Sequence, residues 1–284
     1  MSNFGAEPAY APNYDKRGLY NQVIPYLQKM RTLGVSLLFD CTAAYFGRDV
    51  LTLRAFSDST GINIITNTGF YGAANDRYVS ELAYTLSEKE IAAIWVREFT
   101  EGIDQTGIKP GFIKLAFDAG TPSEIDLKLF KAGILTHLAT GLTLVVHTGN
   151  NLVAGQKQLD LLTEQKVSPN AWVWAHANQS EDMEVLLEAA TRGAWISLDG
   201  VKESNVEEYI GKIEAFKARG LLHKVLLSHD GNSFPRGGAI RAYDAIPTSL
   251  IPRLKQHGYS AATIDQLMVK NPRTAFGIRV RALE

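Results

Sequence analysis

The sequence predicts an α/β fold of the TIM (β/α)8-barrel type, and three observations carry that expectation. Short apolar runs alternate with amphipathic helical segments along almost all of the 284 residues. The stretch Gly111–Phe117 is apolar on both faces, as a parallel strand covered on both sides must be, except for one cation, Lys114. Four polar residues, Lys114, His147, His176 and Asp230, stand at the carboxyl ends of four such runs. No G-x-G-x-x-G opens a helix and no G-x-x-x-x-G-K-[ST] occurs, so a doubly wound nucleotide-binding sheet has no support.

Residues 1–14 show no hydrophobic period and read as loop. Leu19, Val23, Tyr26, Leu27 and Met30 recur at helical spacing between Asp15 and Leu33, and Gly34 ends that helix. Seven strands are expected: Val35–Asp40, Ile62–Thr68, Gly111–Phe117, Thr143–His147, Trp172–His176, Ala194–Asp199 and Val225–Asp230. Between them helices are expected up to Asp58 and at Glu88–Asp104, Ser123–Ala139, Gln156–Gln165, Glu181–Arg192 and Glu207–Arg219. A last helix pair covers Tyr243–Gln256 and Ala262–Val269. Nothing in the composition marks a linker, so residues 1–284 are read as one domain.

At 45% hydrophobic and 21% charged residues, the chain can bury a large core. A formal net charge of −1 without a basic tract argues against a nucleic-acid partner. No apolar run reaches the ~18 residues of a membrane span. One cysteine, Cys41, excludes an internal disulfide framework. Together with an N-terminus that lacks the charged-then-apolar order of a signal peptide, it points to a cytoplasmic location.

The spacings of 33 and 29 residues between Lys114, His147 and His176 match one βα unit each, and the 54 residues to Asp230 match two. Alternation pairs Phe112 with Lys114, Val145 with His147, Trp174 with His176 and Ser228 with Asp230 on the inward face. In a barrel these strand ends converge on the active site. Two imidazoles, a carboxylate and a lysine meeting there suggest a metal site. For any one of them, a hydrogen-bonded core histidine or a lysine reaching solvent is the plainer reading. Four in register are harder to attribute to chance. A Ser228-His229-Asp230 triad fails, because adjacent strand residues face opposite sides. His137, His223 and His257 receive no role.

From Gly34 to Gly277 the sequence resembles the phosphotriesterase family of the amidohydrolase superfamily. The resemblance is carried by Phe46-Gly47-Arg48-Asp49-Val50, Asn67-Thr68-Gly69, Gly102-Ile103-Asp104-Gln105-Thr106-Gly107-Ile108 and Gly111-Phe112-Ile113-Lys114. Further on come Val146-His147-Thr148, Ala175-His176, Leu227-Ser228-His229-Asp230 and Asn271-Pro272. It implies a binuclear metal hydrolase, usually with zinc. Lys114 matches the family's carbamylated, metal-bridging lysine, which resolves the buried cation. His147 and His176 match ligands of the more exposed metal. Asp230 matches a ligand of the more buried metal that also takes a proton from the hydroxide. The metals activate that water and polarise the scissile bond.

One departure is plain. The family's first strand carries a His-x-His pair, and residues 1–14 contain neither a histidine nor a strand pattern. The expectation is a barrel lacking strand 1, either because Met1 is an internal methionine or because the pair was lost naturally. Impaired or single-metal occupancy is then expected, with exposed edges on the two flanking strands.

Counting the missing strand 1, substrate contacts are expected from the βα loops: Tyr71 and Arg77 after the third strand, Lys202 after the seventh, and Phe234, Arg236, Arg241 and Tyr243 after Asp230. These cations suit an anionic small molecule such as a phosphorylated sugar lactone. A lactone or carboxylic ester ranks above a phosphotriester. The competing readings are a Schiff-base aldolase using Lys114 and a non-catalytic ligand-binding relative. The expected partner is a small-molecule substrate, with neither nucleic acid nor membrane, and a homodimer stays open.

Overall fold

The computed structural model describes residue 10, residues 14–232 and residues 240–283 of the chain. Strand β1 (Leu37–Phe39) pairs in parallel with β2 (Asn63–Ile65). A separate six-stranded parallel sheet follows in sequence order: β3 (Asn67–Thr68), β4 (Phe112–Ala116), β5 (Thr143–His147), β6 (Trp172–Ala175), β7 (Trp195–Leu198) and β8 (Val225–Leu227). This is the barrel order, with no closed ring: among the described residues no strand joins β8 to β1.

The run Ile62–Thr68, expected as one strand, is divided at Thr66 because it changes partners. Through Ile65 it bonds to β1, and from Asn67 onward to β4. Beyond that point the Asn67 side chain replaces the ladder, its Nδ2 donating to the carbonyls of Asp40 at 2.9 Å and Thr42 at 3.1 Å. The backbone of Asn67 is fixed in turn by Arg48, whose Nη1 donates to the Asn67 carbonyl at 2.8 Å. Arg48 is itself paired with Glu98 through both terminal nitrogens, at 2.9 and 2.6 Å.

Helix α1 (Lys16–Thr32) packs Leu19, Val23, Leu27 and Met30 against the outer side of β1 and β2 and against α2 (Val50–Thr60). It also reaches the chain after β8: Tyr26 Oη accepts the Tyr243 N–H at 2.9 Å, the two rings lie 4.6 Å apart, and Lys29 meets Asp244 at 2.7 Å. The helix thereby bridges the two sides between which the sheet stays open.

The remaining long helices are α4 (Glu88–Glu101), α5 (Glu124–Thr140), α6 (Leu152–Glu164), α7 (Met183–Thr191) and α8 (Val206–Ala218), with a short α3 (Leu82–Thr85) before them. Ser87 and Ser123 start α4 and α5 through reciprocal bonds with Glu90 and Asp126. Helix α6 begins one turn before the expected Gln156, because Asn151 Oδ1 accepts the Ala154 N–H. Three short helices, α9 (Ile251–Gln256), α10 (Ala261–Asp265) and α11 (Asn271–Ala275), complete the chain. No helix among the described residues is long and apolar enough to cross a membrane.

Ile113, Leu115, Leu144, Val146, Trp172 and Trp174 pack against the helices. Phe112, Val145, Val173, Ala175, Trp195 and Leu226 form the interior, closed from below by Phe39 and Phe276. Trp174 therefore points outward, against the expected pairing with His176. Its ring fills the space over Gly155, where a Cβ would come within 2.4 Å of it. His137 is structural: burial holds its pKa down, Nδ1 donates to the Leu142 carbonyl at 2.8 Å and Nε2 accepts the Arg281 N–H at 3.0 Å.

Candidate active site

Lys114 sits on β4 and is 4% exposed, so its ammonium does not reach solvent. Among the described residues its Nζ donates only to the neighbouring Leu115 carbonyl, at 3.3 Å, and it lies 5.5 Å from the centre of the Tyr71 ring. Burial pushes its pKa below the ordinary lysine range. Gly69 permits this packing. It has φ +112°, and a Cβ there would stand 2.2 Å from the Lys114 carbonyl oxygen.

Two residues on, Tyr71 is buried and stacked on Phe46 with centroids 4.9 Å apart. Burial raises the pKa of its phenol, which stays protonated and lies 3.3 Å from His147 Nδ1. His147 ends β5. Burial first, then the neighbouring Lys114 and His176, push its pKa down to about 2, so the imidazole is neutral, as a metal ligand must be. The His147 and His176 rings lie 4.4 Å apart.

His176 reaches this position through backbone conformation rather than strand alternation. Its φ of 59° is left-handed, and the turn brings the side chain inward just after the outward-facing Trp174. The turn is anchored by Asp199, which accepts the His176 N–H at 2.6 Å, with the same oxygen 3.5 Å from ring Nδ1. The other Asp199 oxygen accepts from Ser197 and Ser228, each at 2.7 Å. Asp199 is 5% exposed and is the organising carboxylate that the sequence pattern did not single out. Its position after β7, equivalent to that of Asp230 after β8, was the available signal.

Asp230 also has a left-handed φ, 46°. Its side chain is 46% exposed and is held at the rim by Arg241 at 3.2 Å. His229 is turned to the opposite side from the barrel interior, as expected, with Nε2 accepting the Ile246 N–H at 2.9 Å, and it lines the cavity beside Asp230. Asp230, Lys202 and Arg241 line a cavity of about 720 Å³, together with Asn178, Gly200 and Tyr209. Tyr71 joins His147 and Lys114 rather than this cavity's wall. Tyr243 is 9% exposed and belongs to the α1 cluster, so the structure does not bring it to the cavity. Arg77 lies over the Tyr78 ring at 5.8 Å. Phe234 and Arg236 lie outside the described residues.

Among the described residues, no three of His, Cys, Asp or Glu are grouped so as to hold an ion. The close pair is His147 with His176, and Lys114 is the third donor beside them. Two imidazoles, one of them strongly held neutral, next to a buried amine that lacks an anionic partner, are a donor set whose chemistry fits a divalent cation.

A model of the phosphotriesterase family matches residues 6–276, and the chain belongs to that family. Its class is hydrolase, and the relatives follow. The crystal structure of the phosphotriesterase homology protein from Escherichia coli, complexed with phosphate in its active site, matches with a TM-score of 0.81. It is 29% identical and the match covers 90% of this chain and 89% of that one. An aryldialkylphosphatase from Saccharolobus solfataricus is 25% identical over 285 residues, 93% of this chain and 87% of the relative. An N-acetyltaurine hydrolase from Dictyostelium discoideum is 25% identical over 265 residues, 87% of this chain and 70% of the relative.

Proposed function

We propose that this chain is a metal-dependent hydrolase whose substrate is a lactone or carboxylic ester bearing an anionic group, a phosphorylated sugar lactone being the leading candidate. The observation that supports it is the grouping of Lys114, His147 and His176, joined to a cavity whose rim carries two cations, Lys202 and Arg241, through Asp230, which lines that cavity and interacts electrostatically with His176 and Lys114. A neutral phosphotriester has no use for that rim. Glu203, Glu208 and Asp244 also line the cavity; Lys212 and Lys29 offset Glu208 and Asp244, at 3.4 and 2.7 Å, and Arg241 is itself paired with Asp230 at 3.2 Å.

His147, His176, Asp230 and Lys114, the last as its carbamate, would hold the cation, with zinc the expected ion. Carbamylation turns the unpaired amine into an oxygen ligand. When bound, such an ion lowers the pKa of water and polarises the acyl oxygen. The chain's own residues supply the rest. Asp199 sets the His176 ring. Asp230 accepts the proton released as water adds to the carbonyl carbon, and returns it to the ring oxygen as the C–O bond breaks. Lys202 and Arg241 hold the anionic end.

The test is a panel: a phosphorylated aldonolactone, its unphosphorylated counterpart, an aryl dialkyl phosphate and N-acetyltaurine. The highest kcat/KM is expected for the phosphorylated lactone, and Lys202→Ala should raise KM for that substrate alone. An unchanged KM would sink the phosphate assignment, and a preference for N-acetyltaurine would overturn the lactone reading. Borohydride trapping of Lys114 with a carbonyl substrate would instead establish Schiff-base chemistry.

A further inference from the structure

The cavity wall that carries Asp230 also contains a notch. Gly200 follows Asp199 with φ +87°, a conformation that side-chain-bearing residues rarely adopt. A Cβ built there would find Tyr209 Oη at 3.5 Å and Asn178 Nδ2 at 3.9 Å, with nothing nearer. The missing side chain therefore leaves a space bounded by two polar atoms, and all three residues line the cavity.

The hydrogen-bonding sense of both atoms is fixed from behind. Asn178 Oδ1 faces the Asp199 N–H at 2.9 Å. An N–H can only donate, so the carboxamide oxygen must face it and the NH2 must face the notch. That NH2 meets no acceptor among the described residues. Asn178 is further held by its carbonyl, which accepts from Lys212 Nζ at 3.2 Å. The Tyr209 hydroxyl spends its proton on the Asp199 carbonyl, leaving only lone pairs toward the notch. Burial and the neighbouring Asp199 keep this phenol protonated.

We infer that the notch is a hydroxyl subsite: Asn178 Nδ2 donates to, and Tyr209 Oη accepts from, a hydroxyl on the substrate. A hydroxyl satisfies one fixed donor and one fixed acceptor at once, as does the water it would displace. A keto oxygen leaves the tyrosine without a proton, and an ammonium leaves the amide without an acceptor. This rests on the hydrolase reading for the reacting group and specifies the substrate further, as a hydroxylated rather than a plain acyl compound. Asn178 is thus a specificity-determining residue.

The test uses γ-butyrolactone and its α- and β-hydroxy derivatives with the full chain and its Asn178→Asp and Asn178→Ser variants. Asn178→Asp keeps an oxygen for the Asp199 N–H and replaces the donor to the notch with an acceptor, whereas Asn178→Ser withdraws the group from the notch. The unmodified chain should favour one hydroxylated lactone by about 10-fold or more in kcat/KM, since a missed polar contact is costly in a site built for it. In Asn178→Ser the ratio should fall toward unity, while Asn178→Asp, in which the hydroxyl donates to the carboxylate instead, should retain Tm and keep a preference. No preference in the unmodified chain, or a preference that survives in Asn178→Ser, overturns the subsite. Saturation-transfer NMR with 4-hydroxybutyrate and its 2- and 3-hydroxylated forms separates the two readings. If no lactone is hydrolysed, but one of the hydroxylated acids binds preferentially and loses that advantage in Asn178→Ser, the subsite stands and the lactone reading falls. Equal binding of the acids removes the subsite.

Discussion

Replacing Arg48 with methionine should be among the most damaging single changes outside the site. Arg48 is 6% exposed and the Glu98 side chain 14%, so the substitution strands a carboxylate with little access to water. Removing one partner of such a pair costs roughly 3–5 kcal/mol, and the partial exposure of Glu98 favours the low end. The Asn67 carbonyl also loses its 2.8 Å donor, which adds about 1 kcal/mol. The sum is about 4 kcal/mol, or a fall in Tm of about 8 °C for a domain of this size. Adding Glu98→Gln should restore about half, because the stranded charge is removed while the Asn67 carbonyl stays orphaned. Urea unfolding followed by tryptophan fluorescence measures both variants. A loss below about 1 kcal/mol in Arg48→Met, or no recovery in the double variant, would show that the pair is not the clamp its geometry implies.

Three further outcomes follow from other positions. Asp126 is 2% exposed with Oδ1 unpartnered, and burial, reinforced by Asp76 and Asp118, raises its pKa from 3.8 to about 6. The folded state holds this proton more tightly than the unfolded chain, so the carboxyl weakens the fold as pH rises from about 4 through 6, by about 3 kcal/mol. Asp126→Asn should therefore raise Tm at pH 8 and leave it unchanged at pH 4, and an equal gain at both would refute the cause. Asp199→Asn keeps an oxygen for both serine hydroxyls but turns an NH2 toward the His176 N–H and weakens the hold on that residue, so kcat should fall about 10- to 100-fold with KM little changed. A KM effect of the same size would place Asp199 in substrate binding instead. Mass spectrometry of protein purified without chelator should find about one divalent ion per chain, and chelation should abolish turnover until zinc and bicarbonate are restored. Two ions per chain would mean that further ligands complete the site.

Much of this architecture was legible because parallel strands buried on both faces and amphipathic helices leave different periods in the sequence. Lys114 and His147 stand on the inward face that alternation gives them, because β4 and β5 stay regular to their ends. His176 reaches the same place by a left-handed turn that cancels the parity of Trp174, and no periodicity encodes such a turn. Asp199 escaped notice because an aspartate ending an apolar run reads as a strand terminus, whereas its role depends on contacts with Ser228 and His176 from two other strands. Tyr243 was misjudged for a related reason. Its closeness to Asp230 in sequence suggested the cavity, but Tyr26, 217 positions away, takes its N–H and packs on its ring.

That last contact ties together parts of the molecule with different tasks. Ala242, Asp244 and Ala245 line the cavity, while Tyr243 and Asp244 grip α1 through Tyr26 and Lys29. Anything that occupies the cavity and orders this segment also holds down the helix that bridges the open sheet. By mass action, ligand binding then suppresses detachment of α1, and amide protons along Lys16–Thr32 should exchange more slowly when the cavity is filled. The helix, remote from the reacting groups, becomes a reporter of occupancy, and loosening it by Tyr26→Phe should weaken binding without touching the chemistry.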